Sequence, residues 1–246
     1  HLRHKLLSME RMEGNSFGGW ICDGKGDQFP IRAKIVIDAS GVAAVCSRLV
    51  KLDGEYPLNP KGKVVAGMQY ELLDVPTDGY LDFYIWPRYA EKGYLWMIPK
   101  CDGRANVGLV TEDKPRTKKA LDEFIADTHF SDLEQTLPPW KDKGSPAFGG
   151  TIPISGPFDR THHDGLMLVG DAAGFTSPLF EGGSHLALKS AVFAAQTAAK
   201  AISEGDLSSE RLSEYTKLWN AEFPPYDKIL RGKTALFELS DDEMSV

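Results

Sequence analysis

The segment Leu166-Met-Leu-Val169, followed by Gly170-Asp-Ala-Ala-Gly174 and then by Gly182-Gly183 and an apolar helical run to Ser203, constrains this chain more than any other part of it. Four apolar residues in a row read as a buried strand. A Gly-Asp pair ends the strand, and paired glycines open a helix. A strand that passes through glycines into a helix is how α/β folds hold ligands at the carboxyl ends of their strands. Gly170 and Gly174 let the backbone approach a bulky group closely. Asp171 offers an acceptor for a sugar-like hydroxyl. Gly182 and Gly183, with Ser184 behind them, present N–H groups at a helix N-terminus, where the dipole favours negative charge on a ligand. A lone Gly-Asp pair is more simply a chain reversal. The whole string, with Pro178 between its two glycine pairs, reads as a ligand site.

The rest of the chain fits an α/β setting. Lys34-Ile-Val-Ile37 reads as a second buried parallel strand, ending in Asp38-Ala-Ser-Gly41, with a helical turn between Val42 and Val50. Residues 1–34 read as short strands, with a hairpin turn at Asp23-Gly-Lys-Gly26. Residues 51–62 read as a loop. Four strand-like segments come next, at 64–72, 81–86, 94–98 and 106–110, separated by Gly, Pro and Asp turns, and they suggest an antiparallel layer. The spacing of Ala120, Leu121, Phe124 and Ile125 predicts a helix over 118–127, and Pro138-Pro139 acts as a stop beyond it. Residues 148–154 read as extended. The run 181–203 is the strongest helix. Its polar stripe is His185, Lys189, Gln196, Lys200 and Ser203, its other positions predict a buried face, and Gly205 stands where a cap belongs. Residues 208–223 predict one more helix.

Charge and cysteine content exclude some functions. A net charge of -7 argues against a nucleic-acid partner. Cys22, Cys46 and Cys101 form no paired motif, which argues against a zinc or iron–sulfur site and fits a reducing, cytoplasmic setting. Cys46 and Cys101 read as buried thiols. His162-His163-Asp164 resembles a metal cluster on paper but lacks further ligands at suitable spacing, so it reads as a polar loop. No apolar run reaches bilayer length.

GDAAG followed by PLFEGGSHLALKSAVFAAQTAA resembles the second flavin motif of the aromatic-hydroxylase-like FAD oxidoreductases. Within that superfamily, Gly93 to Val110 (GYLWMIPKCDGRANVGLV) is similar to the sheet segment of the geranylgeranyl reductase group. Ile35 to Gly41, followed by Arg48, resembles the middle motif, with Ser40 where Asp is usual. The resemblance implies an α/β chain with an α+β substrate layer. It would be part of an FAD/NAD(P)-binding Rossmann-like fold of the aromatic-hydroxylase type, carrying an antiparallel substrate-binding sheet. It implies FAD as cofactor, held by Gly170, Asp171, Ala172, Gly174, Pro178, Gly182, Gly183 and Ser184, with Asp38, Gly41 and Arg48 from the middle motif. NAD(P)H or a reduced protein would be the electron donor.

The implied activity is reduction of isoprenoid (geranylgeranyl) double bonds. A quinone-reducing dehydrogenase like electron-transfer-flavoprotein:quinone oxidoreductase, a flavin monooxygenase or halogenase, and a non-catalytic lipid-binding fragment stay open. No residue is assigned to catalysis and none to a metal. Tyr84, Trp86, Tyr94 and Trp96 would line a tunnel for a lipophilic isoprenoid or quinone, or else fill the core of their sheet. Lys100 and Arg104 would meet a substrate phosphate or stand solvated at a hairpin tip, and Glu181 would cap its helix or touch substrate. Peripheral membrane contact is the corollary of a lipid substrate. The family's GxGxxG unit does not occur in the sequence, which reads as truncation. The expected divisions are 1–52 and 151–205 as parts of the FAD-binding domain, 53–150 as the substrate domain, and 206–246 as a C-terminal helical segment.

Overall fold

Strand-forming residues alternate with turn residues through the first 33 positions, and the computed structural model builds them into a meander. The model describes residues 2–50, 63–128, 135–136, 147–177, 179–240 and 243. Strands β1 (Lys5–Arg11), β2 (Phe17–Cys22) and β3 (Gln28–Ala33) pair antiparallel in that order. The expected hairpin at 23–26 is present. The Asp23 side chain accepts from the N–H groups of Lys25 (2.8 Å) and Asp27 (3.0 Å) and closes the turn.

A second sheet contains both buried strands that the sequence predicts, and the structure pairs them in parallel. Strand β4 (Val36–Asp38) lies beside β12 (Leu166–Leu168), and β11 (His162–His163) pairs antiparallel with β12 on its other side. Leu166, Met167 and Leu168 are fully buried. The expectation that 34–37 is buried does not hold throughout: Ile37 is 39% exposed. Its strand stands at the edge of a three-stranded sheet, and alternate side chains of such a strand reach an open face.

Helices α3 (Ser184–Glu204) and α4 (Ser209–Glu222) pack with this sheet. Ser208 caps α4 by accepting from the Arg211 N–H at 3.2 Å. Gly205 caps α3 in the left-handed conformation, at φ 73°. The buried face that the sequence predicts for α3 is present, though not every apolar position lies on it. Leu186, Ser190, Ala194, Thr197, Ala198 and Ala201 face inward, while Leu188 (71%), Val192 (53%) and Ile202 (40%) stand in the open. The apolar arc of this helix is wider than the surface its described neighbours cover. These elements, His1–Lys63 with Pro153–Ile229, form one compact unit.

The second unit comprises Val64–Ile152 and Leu230–Val246. Its sheet runs β10 (Phe148–Pro153), β5 (Val64–Leu72), β8 (Ala105–Thr111), β7 (Tyr94–Pro99), β6 (Asp82–Tyr84), with β9 (Gln135–Thr136) paired to β5. The pairings β5–β8, β8–β7 and β7–β6 are antiparallel, as expected. One face carries Tyr70, Leu72, Leu95, Met97, Val107 and Leu109 and is covered by Leu121 and Phe124 of α2 (Thr117–Ala126). Period-two alternation sends Gln69, Glu71, Trp96, Asn106 and Gly108 to the opposite face. Helix α5 (Tyr226–Phe237) contributes residues to each unit. Among the described residues no helix is long and apolar enough to cross a membrane. The expected loop at 51–62 and the stop at Pro138-Pro139 lie outside the described residues.

Tyr215 of α4 is fully buried, and its hydroxyl donates to the Leu168 carbonyl at 2.5 Å. Burial pushes this phenol well above its usual range. Replacing Tyr215 by Phe should lower unfolding stability by about 1 kcal/mol, the net worth of one buried hydrogen bond. Urea unfolding measures the loss, and an unmoved midpoint would show that the bond contributes nothing.

Candidate functional site

Two parallel strands end side by side, and the candidate site is built on their ends. Val169 leaves β12 with its N–H donating to the Asp38 carbonyl at 3.0 Å. The next N–H, of Gly170, donates to Ser190 Oγ of α3 at 3.1 Å. Ser190 in turn donates to the Ala187 carbonyl at 2.9 Å. The chain therefore leaves the sheet on a fixed heading. Residues 170–173 form a 3-10 turn, and Gly174 closes it at φ 77°. A side chain is impossible at 174, since a β-carbon there would lie 2.3 Å from the Gly156 carbonyl oxygen.

The turn sets Asp171 against the start of α3. A β-carbon on Gly183 would lie 3.1 Å from Asp171 Oδ1, so the carboxylate sits against the glycine that opens the helix. Among the described residues, none donates a hydrogen bond to this half-buried carboxylate. Burial alone pushes its pKa up. Likewise no described residue accepts from the N–H groups of Gly182, Gly183 or Ser184. Gly182 and Ser184 are exposed. An acceptor with no donor thus stands beside donors with no acceptor. This set suits a ligand with hydroxyls at one point and negative charge at another. Ala172, in contrast, turns its methyl into the core, fully buried. Pro178 lies outside the described residues.

The middle-motif residues divide. The turn at Gly41–Ala43 packs against 170–173, so Gly41 is brought to the site. Asp38 is adjacent, but its carboxylate is spent on its own loop. Oδ1 accepts from the Ser40 N–H (2.9 Å) and hydroxyl (2.5 Å), and Oδ2 accepts from the Cys46 N–H (2.9 Å). Ser40 Oγ also accepts from the Val45 N–H at 2.6 Å, at the start of helix α1 (Val45–Leu49). Ser40, the departure from the usual motif, is therefore an anchor of the loop. Arg48 is exposed. Cys46 is buried, and its thiol is pushed up to about 12 by burial and then by Asp38.

Sequence reasoning missed Ser190. Its signal was one hydroxyl among Ala and Leu on the inward face of the long helix. Glu181 is buried at φ 49°, just before the glycines that open α3. His185 is exposed, as its place on the polar stripe predicts.

Of the four aromatics in the second unit, the structure brings two together. Tyr94 and Trp96 share the face away from α2, their ring centroids 5.8 Å apart. Tyr84 is on the α2 side, with its ring 5.8 Å from Phe124. Trp86 meets Tyr89 edge-on at 5.2 Å. Lys100 and Arg104 both pair with Glu71, at 2.6 and 2.8 Å. Cys101, expected buried, is exposed at the turn between β7 and β8. The His162–His163 pair lies in strand β11, not in a loop. His162 Nδ1 meets Thr216 Oγ1 at 2.9 Å, and His163 Nδ1 accepts from Arg11 at 2.8 Å. Burial lowers the pKa of His162.

Residues 64–137 match the model of the geranylgeranyl reductase catalytic domain. A digeranylgeranylglycerophospholipid reductase of Methanocaldococcus jannaschii is 36% identical over 225 residues, covering 89% of this chain and 55% of that protein. One from Methanothermobacter thermautotrophicus is 33% identical over 93% of this chain and 57% of that protein. The chain is thus similar to members of the geranylgeranyl reductase family over most of its length. It spans a little over half the length of these relatives. A solved geranylgeranyl reductase-like protein from Thermoplasma acidophilum superposes with a TM-score of 0.85 at 28% identity, over 97% of this chain and 59% of that one. The flavin-dependent halogenase CmlS shares the fold, with a TM-score of 0.69 at 23% identity over 98% of this chain and 44% of that one. The fold expected from the sequence, α/β with an antiparallel sheet, is the one the chain has, and these solved proteins share it.

Because burial raises the Asp171 pKa, ionising it costs folded-state stability. In flavin-free protein that stability is fully present below the unfolded carboxyl value of about 4 and is lost as pH rises through the raised folded value. Asp171→Asn should therefore stabilise flavin-free protein at pH 7, with the advantage vanishing toward pH 4. Urea unfolding at both pH values is the check. An Asn variant less stable at pH 7 would contradict the account of the carboxylate.

Proposed function

We propose that this chain is the flavin-ring and substrate part of an FAD-dependent oxidoreductase that reduces double bonds in isoprenoid (geranylgeranyl) chains of lipids. The observation that carries the reading is the Asp171 carboxylate, to which no described residue donates, against the N–H groups of Gly182, Gly183 and Ser184, from which no described residue accepts. The relatives named digeranylgeranylglycerophospholipid reductase support the substrate class. In this reading residues 1–52 and 151–205 belong to the FAD-binding domain, 53–150 to the substrate domain, and 206–246 to a C-terminal helical segment.

FAD, when bound, supplies hydride or electron transfer, and the chain supplies position and electrostatics. Asp171 would accept from a hydroxyl of the ribityl chain, a donor that no described residue gives its carboxylate. The N–H groups of Gly182 and Gly183, at the positive end of α3, stabilise negative charge on the ring edge. Asp38 holds the Gly41 turn by way of Ser40 and Cys46, and its carbonyl fixes Val169. Trp96 and Tyr94 offer a dry aromatic surface to an apolar chain. The electron donor is NAD(P)H or a reduced protein. Exposed Tyr80 (71%), Leu81 (46%), Phe83 (46%) and Trp86 (40%), in and beside edge strand β6, support peripheral contact with a membrane that holds the substrate, on its cytoplasmic side.

Anaerobic reduction of FAD-loaded protein, with reoxidation afterwards, tests this reading. Geranylgeranyl lipid should reoxidise the flavin and gain hydrogen, as read by mass spectrometry. Rapid reoxidation by a quinone but not by the lipid would make it a quinone-reducing dehydrogenase. Reoxidation only by oxygen, with a product oxygenated or halogenated, would make it a monooxygenase or halogenase. Protein with no flavin absorbance after FAD is added would sink the enzyme reading.

A further inference from the structure

We propose that Gln69 is a positioning residue that pins Trp96 flat on the sheet, and that the pinned indole sets the width of the channel for an isoprenoid chain; this rests on the substrate reading above. The register places Trp96, Gly108 and Gln69 side by side on three neighbouring strands. Trp96 Nε1–H donates to Gln69 Oε1 at 3.1 Å, so the indole reaches from β7 across β8 to β5. Gly108 makes that crossing possible. A β-carbon there would lie 2.5 Å from Trp96 Cζ2 and 2.6 Å from Gln69 Cβ. The benzo ring of Trp96 therefore rests on bare backbone.

The pinned ring has aromatic neighbours along one direction. Tyr94 is tilted against it at 5.8 Å, and Phe83 of the edge strand meets Tyr94 edge-on at 5.3 Å. Phe83 on the edge strand is exposed, Tyr94 is buried, and Trp96 beyond it on the same strand is half-buried. Next along β8 on the same face, Asn106 has a fully buried Oδ1 with no hydrogen-bond partner among the described residues. An indole has two side-chain torsions. Released from Gln69, it would swing about them and vary the height of the floor. Held, it presents one flat face of fixed height, against which a methyl-branched chain gains dispersion contact along its length.

The bland alternative is that Gln69 merely satisfies a buried indole N–H. Steady-state kinetics on flavin-loaded protein separate the two, with geranylgeranyl and shorter prenyl lipids as substrates. Gln69→Leu should raise KM for the geranylgeranyl lipid about tenfold, lower kcat less than about twofold, and narrow the discrimination between chain lengths. Gln69→Glu keeps the acceptor and should restore most of the affinity. In a Trp96→Phe background, which has no N–H to pin, Gln69→Leu should add nothing further. Lipid-induced change in tryptophan fluorescence should be lost in Gln69→Leu. An unchanged KM, an equal effect on every chain length, or an undiminished effect in the Trp96→Phe background overturns the proposal. Melting temperature and flavin spectrum identify a variant that has simply unfolded, and the Gln69→Glu and Trp96→Phe arms then decide. If the unmodified protein reduces no prenyl lipid, the substrate reading falls, and this inference falls with it.

Discussion

The hydrogen bond from the Val169 N–H to the Asp38 carbonyl is the constraint on which the site depends. It joins two parallel strands at their carboxyl ends and so decides where both chains turn. Everything nearby answers to that junction. Ser190 takes the next N–H, Gly174 closes the turn against the Gly156 carbonyl, and Asp171 is left facing the start of α3. On the other strand, the Asp38 carboxylate binds its own loop through Ser40 and Cys46 and brings Gly41 alongside. One backbone bond thus aligns two sequence motifs more than 120 residues apart. Parallel pairing makes this economical, because both strands deliver their loops to the same edge of the sheet.

Much of this was legible in the sequence. Three or four apolar residues before a Gly-Asp pair, then paired glycines and a long helix, identify a strand, a turn and a helix in an order with few alternatives. The antiparallel layer was legible for a similar reason. Segment 64–72 alternates apolar and polar residues toward its end, segment 94–98 is a short run of aromatic and aliphatic residues, and Asp, Gly and Pro separate such segments.

What could not be read depends on which neighbour covers a residue. Leu188 and Val192 sit in an apolar helix but stand in the open, because apolar composition does not say how wide a face its partners bury. Tyr84 and Trp96 are both strand aromatics, and only the register reveals that they point to opposite faces. The role of Asp38 was legible only in part. Its position by the site is given by the motif, whereas the use of its carboxylate depends on the loop geometry at Ser40 and Cys46. Ser190 gave almost no signal, since a serine inside a helix is usually incidental. Cys101 shows the same limit from the other side: turn geometry, not residue type, put it at the surface.

The half-buried Asp171 carboxylate has a consequence beyond ligand recognition. A charged group that gains a partner only when a ligand arrives makes the folded population depend on the supply of that ligand. Marginal stability translates into abundance, because quality control removes what unfolds. In the flavin reading proposed above, a cell short of flavin would hold less of this protein. Asp171 would then couple cofactor supply to protein turnover.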